Sequence, residues 1–122
     1  MGYSVHKITV IILVLIWTLY QFQSRSKESL SFDNGIAKRT GETKNGMNEG
    51  VWIWYYSNGN IQMEGEFVEG KREGVWKTYD STGKLRSEST YLKNKLNGKM
   101  ILYSEKGEVS SLKYFLDDKL VK

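Results

Sequence analysis

The sequence predicts an all-β chain: a single-layer antiparallel β-meander of stacked hairpins, preceded by one N-terminal hydrophobic helix. Three observations carry this. Residue types recur at intervals of 24 from Gly50 onward. Each interval holds two runs of strand-forming residues divided by a glycine turn. Ahead of them stands one uncharged apolar run, ITVIILVLIWTLY at 8–20.

The apolar run comes first in the chain. Its 13 residues have signal-core length and fall short of the roughly 20 needed to span a bilayer. Extension to Phe22, and back to Tyr3 with Lys7 snorkelling, brings it to a marginal span. Trp17, Tyr20 and Phe22 gather at one end as an interfacial belt would. The best cleavage candidate, Ser24-Arg25-Ser26, has a charge in its middle, and no cysteine exists for lipidation. The expectation is a transmembrane anchor or uncleaved signal at 1–22, contacting membrane through residues 8–22. It implies a single-pass membrane protein with its C-terminal part across the membrane, which in a bacterial cell would mean the inner membrane and the periplasm; export after cleavage is the alternative. Residues 23–32 read as a polar linker.

The repeats follow. Gly50, Gly74 and Gly98 are 24 apart, as are Trp52, Trp76 and Met100. The same interval relates Tyr55, Tyr79 and Tyr103; Gly59, Gly83 and Gly107; and Phe67, Tyr91 and Phe115. Lys71, Lys95 and Lys119 close each unit. The units are 50–73, 74–97 and 98–121, after a degenerate half-unit at 33–49, so the repeat domain is 33–122. Seven or eight strands are expected.

Within a unit, VWIWYY (51–56) and IQMEGEFV (61–68) flank Asn58-Gly59, which reads as a two-residue type I′ turn. That turn would pair Tyr56 with Ile61, Trp54 with Met63, Trp52 with Gly65 and Gly50 with Phe67. Cross-strand partners share a face. One face then carries Trp52, Ile61 and Phe67 with their equivalents, including Leu85 and Val109. Gly65 and Ser89, opposite Trp52 and Trp76, are small enough for an indole to lie over. The other face carries the tyrosine series and a cross-strand Lys77–Glu88 pair.

The G-x-W-x-x-Y…N-G…G-K pattern, from Gly50-Val51-Trp52 through Tyr55 and Asn58-Gly59 to Gly70-Lys71, resembles the variant MORN repeat. Bacterial proteins built of it are often catalogued as YwqK-family antitoxins. The resemblance covers about residues 33–122. It implies a ladder of β-hairpins that mediates protein–protein contact and sometimes membrane association; the antitoxin label implies neutralising a toxin by binding it.

Composition narrows the chemistry. The chain has no cysteine and no proline, and its single histidine, His6, precedes the apolar run. Thiolate sites, disulfides and histidine catalysis in the repeats are thereby excluded. Eighteen Lys+Arg face 14 Asp+Glu, a net +4, an ordinary balanced surface that argues against nucleic acid. Glu64, Glu66 and Glu88 form no nucleophile–base set, and the expectation is no catalysis, no metal and no cofactor.

Positions that recur are assigned to the fold: Gly50, Trp52, Tyr55, Gly59, Phe67, Gly74, Trp76, Tyr79, Gly83, Tyr91, Gly98, Tyr103, Gly107 and Phe115. Large aromatics at non-recurring positions, Trp54, Tyr56 and Tyr114, are the candidates for binding a protein partner. Lys71 and Arg72 join them as cations at an inter-unit turn, able to make a weak contact with anionic lipid. The functional expectation is a non-catalytic, membrane-tethered protein-interaction module, an accessory subunit of a membrane complex; the alternative is an antitoxin or immunity-type protein.

Overall fold

The computed structural model describes residues 5–25 and 30–122, and the chain divides into two compact units, Met1–Leu30 and Ser31–Lys122. Tyr3, Ser26 and the central part of the 23–32 linker lie outside the described residues.

The first unit contains helix α1, Val5–Arg25. No glycine or proline interrupts it. Its two threonines satisfy their hydroxyls locally: Thr9 donates to the His6 carbonyl and Thr18 to that of Leu15, both at 2.9 Å. Every side chain from Val5 to Tyr20 is exposed. Among the described residues no helix is long and apolar enough to cross a membrane. The uncharged run rises only about 20 Å at 1.5 Å per residue, against about 30 Å of hydrocarbon. This corrects the expectation of a single-pass inner-membrane protein with a periplasmic domain, and the localisation derived from it.

The second unit is one eight-stranded sheet in which chain order is spatial order. Its strands are β1 (Arg39–Lys44), β2 (Met47–Tyr55), β3 (Ile61–Val68), β4 (Lys71–Tyr79), β5 (Leu85–Leu92), β6 (Lys95–Tyr103), β7 (Val109–Leu116) and β8 (Lys119–Leu120). Each pairs antiparallel with the next. This is the expected one-layer meander of hairpins.

Two kinds of turn alternate along its two edges. Within a unit, Tyr56 N donates to Asn60 O and Gly59 N to Tyr56 O. Asp80–Lys84, Ser104–Glu108 and Phe32–Ile36 repeat this pair of bonds. Gly59 has φ 89° but Asn58 keeps a negative φ, so Asn58-Gly59 is not the expected type I′ turn. It is a type I turn closed by a glycine bulge, a three-residue hairpin loop. The type I′ turns lie between units instead. Asn45-Gly46, Glu69-Gly70, Lys93-Asn94 and Asp117-Asp118 each have two consecutive positive φ values.

The bulge corrects the register near the turn. Gly50↔Phe67, Trp52↔Gly65 and Trp54↔Met63 pair as expected, but Ile61 pairs with Tyr55 rather than Tyr56. Leu85 and Val109 likewise pair with Tyr79 and Tyr103. These aliphatic residues therefore accompany the tyrosines, not the tryptophans.

A second irregularity separates successive units. Between Glu64↔Lys77 and Glu66↔Glu73, the single residue Gly65 faces Gly74, Val75 and Trp76. The same three-against-one step occurs at Gly41 and at Thr90. Gly74, with φ 72°, supplies the backbone reversal. The step draws each indole over the preceding strand: Trp52 lies on Gly41 and Trp76 on Gly65. The indole nitrogens donate to the Glu42 and Glu66 carbonyls at 3.0 and 3.2 Å. The expected overlay of Trp52 on Gly65 and Trp76 on Ser89 is thus displaced by one unit. Trp52 and Trp76, at 9 % and 5 % exposure, are the buried apolar core.

Candidate functional site: an aromatic groove on one face

Register assigns each side chain to a face. One row runs Thr40, Ile53, Glu64, Lys77, Glu88, Ile101, Leu112 across β1 to β7. This is the polar face. Lys77 and Glu88 form the expected cross-strand pair, at 4.0 Å. Tyr79 donates to Glu64 at 2.7 Å and Tyr103 to Glu88 at 3.1 Å. Burial, then the Glu64 hydrogen bond and charge, push the Tyr79 hydroxyl up to about 12. Tyr103 is raised the same way, by burial and then by Glu88. Tyr79 and Tyr103 thus hold the Glu64 and Glu88 carboxylates.

The neighbouring row runs Arg39, Trp54, Met63, Thr78, Ser87, Leu102, Ser111. It belongs to the face of the tryptophans. Here the rings make one connected cluster. Phe67 meets Trp76 edge-on at 4.9 Å between centroids, and Trp54 lies 5.8 Å from Trp76 and 6.0 Å from Trp52. Tyr91 approaches Trp76 edge-on at 6.2 Å. The Arg72 guanidinium sits 4.1 Å over the Tyr91 ring, its Nε donating to Asn94 Oδ1 at 2.7 Å. Cation–π stacking of this kind fixes the arginine against the apolar wall.

These side chains leave a groove of about 250 Å³, lined by Trp54, Met63, Phe67, Arg72, Trp76, Thr78, Ser89 and Tyr91. Apart from Trp76, its lining is half-buried. Within the repeat unit no second layer of secondary structure packs on it, since the sheet is the unit's whole architecture. An open aromatic concavity with few polar groups is the ordinary form of a candidate binding site.

The chain matches a family model described as the MORN repeat variant, at residues 48–69 and 72–93. Both segments are thus similar to the MORN variant repeat. They supply β2 to β5, and every residue lining the groove lies within them. No curated protein matches the chain. MORN repeats point to a protein-interaction or binding module, and the repeat family is generally non-catalytic.

Of the residues singled out from the sequence, Trp54 and Arg72 line this groove. Tyr56 instead bridges units at the hairpin-turn edge, donating to the Tyr79 carbonyl at 2.8 Å. Tyr114 pairs with Lys99, in register with the Val51–Glu66 pair of the first unit, and so sits on the opposite face. Lys71 is exposed beside an inter-unit turn, opposite Val68. Met63, Thr78 and Ser89 were missed because each looks unremarkable alone; their shared face, given by cross-strand pairing with Trp54 and Trp76, was the available signal. Among the described residues no three His, Cys, Asp or Glu side chains converge as metal ligands.

Proposed function

We propose that this chain is a non-catalytic interaction module that captures a protein partner in the aromatic groove between the two MORN variant repeats. One observation carries the reading: Trp54, Phe67, Trp76 and Tyr91 form a single ring cluster around an open groove on a one-layer sheet. Aromatic anchors with an arginine at the rim are the residue types that dominate binding energy at protein interfaces. Three residues at recurring positions, Phe67, Trp76 and Tyr91, thus serve packing and lining together. Trp54 supplies ring surface where the second and third units have Thr78 and Leu102.

The polar face supports the non-catalytic half of the reading. Its central acids, Glu64 and Glu88, are taken up by Tyr79, Tyr103 and Lys77. An acid tied to a raised phenol is a structural pair, with no nucleophile beside it.

The experiment compares three full-length variants as affinity baits. Met63→Glu introduces a charge into the groove, Trp54→Leu removes a ring, and Tyr114→Ala alters the opposite face. Loss of a stoichiometric partner in the first two, with retention in the third, is the expected pattern. Retention in all three, with folding confirmed by circular dichroism, would place binding elsewhere.

A further inference from the structure

Face assignment separates the charges of the sheet. Along the paired rows of the tryptophan face, among the described residues, there is no Asp or Glu. The carboxylate pairs Glu66–Glu73 and Glu42–Glu49 alternate with that face, and Glu64 and Glu88 belong to the opposite row. Cations do stand on the tryptophan face. Arg39 pairs with Trp54, Arg72 with Phe67, and Lys113 with Met100. They occupy β1, β4 and β7, so each is three strands from the next, roughly 14 Å at ordinary strand spacing. Arg72 is held at the groove wall by its stack on Tyr91 and its bond to Asn94.

From this asymmetry we infer that the occupant of the groove is an acidic amphipathic segment of a partner protein, apolar on one side and bearing carboxylates at its margins. The inference rests on the reading of the groove as a protein-binding site and names the chemistry of its ligand. Charge complementarity selects this occupant over two others. Helix α1 carries Lys7 and Arg25 but no Asp or Glu, so it meets the cations with like charge. The same face of a second copy brings a second set of cations. A flat anionic membrane suits the groove poorly, because Trp76 is buried and Met63 and Phe67 are half-buried rather than protruding.

The test titrates full-length protein into three fluorescein-labelled helical peptides of about 20 residues, long enough to cross about 30 Å. All three share the same Leu and Phe positions; the remaining positions are Glu, Gln or Lys. The Glu peptide is expected to bind about tenfold tighter than the Gln peptide, with the Lys peptide weakest and the preference shrinking as salt rises. Arg72→Gln with Lys113→Gln should bring the Glu and Gln peptides to within about twofold of each other. Lys113→Gln alone, at an exposed position, carries the comparison if the double variant unfolds. Equal affinity for Glu and Gln peptides overturns the inference and leaves the groove reading standing. Silence from all three, with unchanged tryptophan emission, defeats the groove reading itself. Two further results would replace the acidic segment with another occupant. One is self-association of the chain that Met63→Glu abolishes, and the other is capture by phosphatidylserine vesicles but not by the Glu peptide.

Discussion

The indole of Trp76 lies over Gly65, in the place that a side chain there would occupy. A Cβ on Gly65 would run into Cγ, Cδ2 and Cε2 of the ring, and Trp52 stands in the same relation to Gly41. The first and second repeat units are thus each locked to the preceding one by a ring seated on a bare backbone, with the indole N–H bonded to the next carbonyl along.

Gly65→Ala should therefore displace Trp76 and cost about 3 kcal/mol, the upper range for overpacking. Gly41→Ala should cost less. Its strand β1 is the sheet's first and has exposed residues throughout, so it can shift to relieve the clash. Urea midpoints of both variants check the order. A milder effect at Gly65 than at Gly41 would mean that the overlay does not hold the units together.

Gly74 tests a different property. Its φ is 72° and open space surrounds it, so only backbone strain opposes a side chain. Gly74→Ala should cost about 1 kcal/mol, the left-handed penalty, and Gly74→Asn less, because asparagine tolerates that region. At Gly65 asparagine should bring no such relief. Chemical denaturation of the four variants separates strain from collision.

These two glycines also mark what could be read from the sequence. The 24-residue interval specified the strands, their order and the Trp52–Gly65 and Trp54–Met63 pairs, since pattern and turn spacing determine hairpin pairing. The bulges were not legible. Asn58-Gly59 suits a type I′ turn or a type I turn with a glycine bulge; the two differ in the sign of φ at Asn58, which composition does not encode. The corresponding angles at Asn58, Thr82 and Lys106 carried Ile61, Leu85 and Val109 to the tyrosine face. The step between units was foreshadowed by glycine two residues before Trp52, Trp76 and Met100. Its effect, a tryptophan resting on the previous strand, emerges only when three residues oppose one. The groove was half legible: Trp54 stood out as non-recurring and Arg72 as a cation at an inter-unit turn, but Met63 and Ser89 join it only through register.

The tyrosine–glutamate pairs give stability a signature in alkali. Tyr79 ionises near pH 10 in the unfolded chain and is pushed up to about 12 when folded, by burial and then by Glu64. A raised phenol binds its proton more tightly in the native state, so its contribution is complete below pH 10 and disappears as pH climbs towards 12. Tyr103 shifts in the same direction. Tyr79→Phe should flatten the decline of stability over this window and remove the latest step in tyrosinate absorbance. Glu64→Gln should move that step to lower pH. A Tyr79 that titrates with the bulk of the tyrosines would contradict the pairing.

The third unit provides the last test, because it breaks the indole-on-glycine arrangement on both sides at once. Met100 replaces the tryptophan and pairs with Ser89 where earlier units have glycine. Neither change alone should help. Met100→Trp would drive an indole against the Ser89 side chain, and Ser89→Gly would leave Met100 over a gap while adding backbone freedom. Together they recreate the Trp76–Gly65 relation. The double variant should exceed the sum of the single variants by about 1 kcal/mol, a coupling expected only of residues in direct contact. Ser89 also lines the groove, so the same cycle measured with a bound acidic peptide would show whether stiffening the third unit closes or preserves the site. Additive single effects in the free protein would mean that the ring-on-backbone contact stabilises the first two units for reasons particular to them.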